Sequence, residues 1–195
     1  LTTPPVERRP VVTEVIPYQE RRVQRAIQRE LDRGGQVYIL HNRVQDIEDV
    51  ANEISSLVPK ATVAVGHGQM PSGALDAVMR SFVQGKSDVL VSTTIIENGL
   101  DVPRANTMII RNANRFGLAQ LHQLRGRVGR SRERAFCYLM LPEHGVEDPT
   151  ALERLRTLER YSMLGAGFRI AMRDLEIRGA GNLLGPEQSL SLIHI

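Results

Sequence analysis

The chain has 195 residues, 42% apolar and 24% charged, with one cysteine, no tryptophan and a formal charge of +3. One cysteine excludes an internal disulfide framework, and no Cys/His group has the spacing of a zinc site, so no metal is expected from a structural cluster. No apolar run reaches the ~18 residues of a membrane span and no signal peptide is visible, so a cytoplasmic protein with no membrane partner is expected, long enough to bury its own core.

Residues 1–10, with Pro4, Pro5 and Pro10, read as an extended linker, because proline fixes φ and removes a backbone donor. Residues 11–16 are strand-like, and residues 19–33 predict a charged amphipathic helix closed by Gly34-Gly35. The run QVYILH (36–41) predicts a strand, and residues 45–57 place Ile47, Val50, Ala51, Ile54 and Leu57 on one helical stripe. A strand over 61–65, a helix over 73–83, strands over 88–92 and 106–110, a helix over 118–124 and a strand over 135–141 complete the series. Apolar runs that do not alternate suit strands buried on both faces. Strands alternating with helices imply a parallel sheet built by right-handed crossovers. The expected fold class is α/β.

The pattern changes beyond the loop at Pro142-Glu143-His144-Gly145. Residues 149–164 set Leu152, Leu155, Leu158 and Leu164 at helical spacing; Gly165-Ala166-Gly167 interrupts, residues 168–177 resume a helix, and Arg178-Gly179-Ala180-Gly181 breaks it. A hairpin of that size cannot stand alone and should pack on the α/β body. The expected organisation is a linker over 1–10, an α/β domain over 11–145, a helical hairpin over 146–189 and a tail of uncertain, artefactual character over 190–195.

The net charge says little; its distribution says more. The chain has 23 arginines against 2 lysines, and eight arginines with a single acid, Glu133, lie between residues 104 and 134. Such a segment suits phosphate groups, of a nucleotide or of a nucleic-acid backbone. The segment QLHQLRGRVGR (120–130) is the densest part. Its glycines allow close approach, and each guanidinium offers five donors in a rigid fork. The spacing serves a triphosphate no better than it serves an arginine-rich solvated loop or an RNA-binding patch. VLVSTTIIENGLDVP (89–103) places hydroxyls past a strand end, where ligands of open parallel sheets bind, although an N-cap and a turn carboxylate would look the same. VGHGQM (65–70) lies past another strand end, and its His67 reads by itself as a turn residue.

In this order QVYILHNRV, VGHGQM, VLVSTTIIENGLDVP and QLHQLRGRVGR resemble motifs IV, IVa, V and VI of superfamily 2 helicases, over about residues 11–141. LGAGFRIAMRDLEIRGAGNLLG (164–185) with the following Pro186-Glu187-Gln188-Ser189 resembles the translocation motif shared by RecG and the transcription-repair coupling factors, and is closer in form to the latter. The resemblance implies a RecA-like second motor domain and a helical coupling hairpin. It implies that Arg130 is the arginine finger reaching the γ-phosphate, beside Arg127, and that Gln123 lies near the attacking water. Gly99 and Asp101 match the motif V pair that links ribose and motif VI. Thr93 matches a contact to nucleic-acid phosphate, and His67, Gly68 and Gln69 match the approach of motif IVa to DNA. Arg178 and Gln188 match hairpin residues that couple ATP state to DNA movement. Thr94 stands where many relatives carry Asp.

The implied cofactor is ATP with Mg²⁺, and the implied partner is double-stranded DNA. RNA polymerase and excision-repair proteins would be engaged through regions outside this chain, so that translocation displaces stalled polymerase and couples transcription to repair. The alternatives are a RecG-type helicase that regresses forks and a non-catalytic nucleic-acid-binding module. The sequence has no G-x-x-x-x-G-K-[ST] and no DExH- or DEAD-type segment. A chain supplying only the finger half of a phosphoryl-transfer site is expected to be inactive alone and to be an internal fragment of a larger machine. Residues 190–195 (LSLIHI) depart from the family pattern and are given no function.

Overall fold

The computed structural model describes residues 11–93, 102–129 and 131–161. Outside them lie the segments 1–10 and 162–195, with Arg178 and Gln188, and also Thr94, Gly99, Asp101 and Arg130.

Six strands form one sheet: β1 (Val12–Pro17), β2 (Gln36–Leu40), β3 (Val63–Gly66), β4 (Val89–Ser92), β5 (Ala105–Ile110) and β6 (Phe136–Leu141). Their order is β1-β6-β5-β2-β4-β3, and every pairing is parallel. The expected parallel α/β sheet is therefore present. The helices are α1 (Glu20–Asp32), α2 (Ile47–Leu57), α3 (Ser72–Val83), α4 (Leu118–Arg125) and α5 (Pro149–Tyr161), with a short 3-10 turn at Ala113–Arg115.

Alternation along the central strands divides the core into two layers. Val37 and Ile39 of β2, with Ile109 of β5, pack with Val23, Ala26 and Ile27 of α1 and Val50, Ala51 and Ile54 of α2. Tyr38 and Leu40, with Met108 and Ile110, face the other layer, formed by α3, α4 and α5 through Phe82, Leu121, Leu124, Leu155 and Leu158. Both faces of β2 and β5 are thus buried, which is why those runs are mainly apolar and do not alternate. In α4, Leu118, Leu121 and Leu124 recur at i, i+3 and i+6 and are all buried, each stabilising the layer by roughly 2 kcal/mol. Helix α5 belongs to the same core, and its Glu159 Oε2 accepts the Val15 N–H at 2.5 Å.

Most boundaries shift by one residue, and two starts shift by two for local reasons. Strand β3 starts at Val63 rather than 61, because the Ala61 N–H turns back to Val58 O at 3.0 Å and the Thr62 N–H bonds Asp88 Oδ2 at 2.9 Å. Helix α2 starts at Ile47 rather than 45, because the Asp46 carboxylate is taken by His41 Nε2 at 2.7 Å.

Cys137, the single cysteine, is fully buried in β6, and that burial pushes its thiol up to about 12, partly opposed by the nearby Arg125 guanidinium. Only the thiolate is nucleophilic. The folded chain is therefore expected to leave Cys137 unmodified by a thiol reagent at pH 8, with one equivalent consumed after denaturation; rapid labelling of the native protein would contradict this placement.

Candidate functional site

The carboxyl ends of β2, β4 and β3 set three loop starts side by side. His41 follows β2 and donates its N–H to Ser92 O at 2.9 Å; Thr93 follows β4 and donates its N–H to Gly66 O at 3.3 Å; His67 follows β3. Parallel register (Leu40 beside Ser92, Gly66 beside Ser92) makes this alignment unavoidable. Thr93 and the His67–Gly68–Gln69 turn, far apart in sequence, are brought together here. Gly68 and Gln69 are exposed, whereas Thr93 is buried. His67 is a turn-former: its Nδ1 accepts the Gln69 N–H at 3.2 Å, and its carbonyl accepts the Met70 N–H at 3.2 Å.

The arginine-rich segment has a separate origin. Helix α4 keeps its leucines on the sheet and turns Gln123 outward, exposed. Arg127, four residues on and hence on the same helical side, is half-buried in the turn that continues α4, where its N–H bonds Leu124 O at 3.0 Å. Gly129 closes the turn at φ +84°, and a Cβ there would come within 3.1 Å of Val11 Cγ2 and 3.4 Å of Ala135 Cβ. The left-handed backbone strains any other residue, and a side chain would also press on Val11. Gln123 and Arg127 offer phosphate or water a donor set. Among the described residues no His/Cys/Asp/Glu group could hold a metal ion. Gly99, Asp101 and Arg130, named with Gln123 and Arg127 for the nucleotide, lie outside the described residues.

Comparison with known families decides what this geometry belongs to. Residues 20–132, from the start of α1 through the arginine-rich turn, match the helicase conserved C-terminal domain. The chain belongs to that family. As a helicase C-terminal domain it is 55% identical over 188 residues (96% of the chain) to the transcription-repair-coupling factor of Bacillus subtilis (strain 168). It is 50% identical over 195 residues (100% of the chain) to that of Myxococcus xanthus. The chain spans 16% of each of these relatives. Among solved structures, RecG bound to a three-way DNA junction superposes with a TM-score of 0.74 at 40% identity, over 93% of this chain and 24% of that one. No helix among the described residues is long and apolar enough to cross a membrane.

The helicase C-terminal domain carries polar features that the sequence reading did not single out. His41 is 3% exposed; its hydrogen bond holds the Asp46 carboxyl below the usual carboxylate range, so the loop after β2 is braced by a pair five residues apart. Arg125 is buried between Gln123 and Arg127, where desolvation lowers its pKa. Past the end of β5, Arg111 lies 4.7 Å over the Tyr18 ring and bonds Glu53 Oε2 at 3.2 Å, and the Tyr18 hydroxyl donates to Glu53 as well. Burial first, then that bond, push the Tyr18 phenol above its ordinary value. These residues line a 320 Å³ cleft with Asn112, Pro142 and His144. An arginine placed directly after a buried strand was the available signal for it.

Proposed function

We propose that this chain is the second motor domain of an ATP-dependent double-stranded DNA translocase of the transcription-repair coupling type. The observation that carries the reading is identity of 50–55% to transcription-repair-coupling factors over nearly the whole chain. The described geometry is compatible with it: Thr93 and the His67–Gln69 turn meet at the carboxyl ends of β4 and β3, and Gln123 and Arg127 lie on α4 and the turn that follows it. Thr93 and His67 to Gln69, at the carboxyl edge, would grip the duplex backbone, which phosphate contacts can track without reading sequence. Gln123, Arg127 and Arg130, with Gly99 and Asp101, would line the cleft against a first RecA-like domain. ATP with Mg²⁺, bound there, supplies the phosphoryl group that passes to water. Arg130 and Arg127 would neutralise the charge that develops on it, and Gln123 would orient the water. Arg178 and Gln188 would relay domain closure to DNA. RNA polymerase and excision-repair proteins would be met outside this chain, in the cytoplasm.

The RecG likeness favours a second reading, fork regression. The full-length protein is therefore tested on two substrates, a duplex carrying a stalled RNA polymerase and a protein-free model fork. ATP-dependent release of polymerase with little fork regression is the expected result. Fork regression without polymerase release would replace the first reading with the second. The 195-residue chain alone is expected to show no ATP turnover above buffer.

A further inference from the structure

The apolar stripe of α1 runs Val23, Ala26, Ile27 and then, at the next position on the same face, Glu30, which is 0% exposed. A buried carboxylate without partners is costly, and this one is fully engaged. Arg33 donates to it from both Nε and Nη2, the latter at 2.8 Å to Oε1, and Thr107 Oγ1 donates at 2.7 Å. Gly35 lies so close that a Cβ there would come within 2.7 Å of Glu30 Cδ, so the carboxylate is sealed in place. Held in this way, the Arg33 guanidinium reaches across 101 residues of sequence. Its Nη2 donates to Arg134 O at 2.6 Å, and its Nη1 lies 3.8 Å from Glu133 Oε2. One turn earlier Arg29 lies 3.5 Å over the Phe136 ring and bonds Tyr138 Oη at 2.7 Å. The C-terminal half of α1 thus holds the entry to β6 from the layer opposite α4.

That entry is also the exit of the arginine-rich loop. On its near side Gly129 is wedged against Val11 and Ala135, and Ala135 O accepts the Val12 N–H at 2.9 Å. Arg130 lies in sequence between this wedge and the Arg134 carbonyl. We propose that Arg33, fixed by buried Glu30, is a positioning residue for the arginine finger. By fastening the Arg134 carbonyl it would fix the described backbone that follows Arg130 in sequence, as the Gly129 wedge fixes the backbone before it. The inference rests on the finger reading above. A guanidinium is suited to the task because its planar fork serves a carboxylate and a carbonyl at once, which an ammonium on a flexible stem cannot do in the same geometry.

The test uses the full-length protein, assayed for DNA-stimulated ATP hydrolysis well below each variant's melting temperature. Arg33→Ala and Arg33→Lys are expected to lower kcat by on the order of 10²-fold with KM for ATP unchanged, the consequence of a misplaced group. Arg33→Lys keeps a cation beside Glu30, so its fold survives even if Arg33→Ala does not. Thr107→Val removes another bond to the same carboxylate but leaves the Arg134 carbonyl fastened. It should lower the melting temperature and leave kcat alone. Wild-type kcat in Arg33→Lys would overturn the inference, as would an equal kcat loss in Thr107→Val, which would reduce the network to fold stability. Arg130→Ala separates the two layers of argument. If that variant hydrolyses ATP normally, the finger reading fails; if it is inactive while Arg33→Lys is normal, only the tether fails.

Discussion

The full-length protein carrying Arg130→Ala is expected to bind ATP with near wild-type affinity and to hydrolyse it about 10³-fold more slowly, the low end of the range for an arginine finger. Binding should persist because phosphate cradle and metal seat are not encoded by the G-x-x-x-x-G-K-[ST]-free sequence of this chain and would lie on the first domain. Hydrolysis should fail because the finger acts where charge develops in the transition state, and an interaction made only there changes kcat rather than ground-state affinity. Equilibrium binding of a labelled ATP analogue and steady-state turnover, measured on the same preparation, check both halves. Unchanged turnover would remove Arg130 from the reaction.

Leu121→Ala, in the 195-residue chain, should cost about 2–5 kcal/mol, which at roughly 2–4 °C per kcal/mol is a fall in melting temperature on the order of 10 °C. Leu121 is 0% exposed and sits in the layer that also holds Met108, Cys137, Leu155 and Leu158. Its removal opens a cavity at the junction of sheet, α4 and α5, where rigid strands limit collapse. Exposed Gln123, two residues away on the outer side of the same helix, should tolerate alanine with little loss of stability. The pair of melting curves reads directly whether α4 presents its leucines inward and its amide outward; comparable losses would refute that orientation.

Much of the fold was legible because the two periodicities are strong. Non-alternating, mainly apolar runs such as VLVS and NTMII, with helical stripes such as Ile47, Val50, Ala51 and Ile54, point to a parallel sheet covered on both sides. The juxtaposition of Thr93 and His67 followed from each being the first residue past a strand, but their adjacency needed the strand order, which periodicity does not contain. Glu30 shows a different kind of limit. Its place on the stripe of Val23, Ala26 and Ile27 marks it as buried, yet its partners Thr107 and, through Arg33, Arg134 come from distant chain segments. Arg125 was hidden by its neighbours, since in an arginine-rich run the one that turns inward has no local mark. For Gly129 the sequence shows a glycine but not the wedge between Val11 and Ala135 that demands one.

The strand order has a consequence for how such a domain is made. Strand β1 is the first element of the sheet to be synthesised, and its single neighbour among the six strands, β6, is the last. Between them lie all the other described strands, so Val12–Pro17 must wait for Phe136–Leu141 before its neighbour in the sheet exists. At 5–20 residues per second that interval is roughly 6–25 s on the ribosome. During it the nascent chain carries a β-branched strand whose partner in the sheet has yet to be made. Closing the sheet is a long-range event that comes late by construction. The proline at the end of β1 and the charge of Glu14 within it are features that blunt pairing with the wrong chain in the meantime.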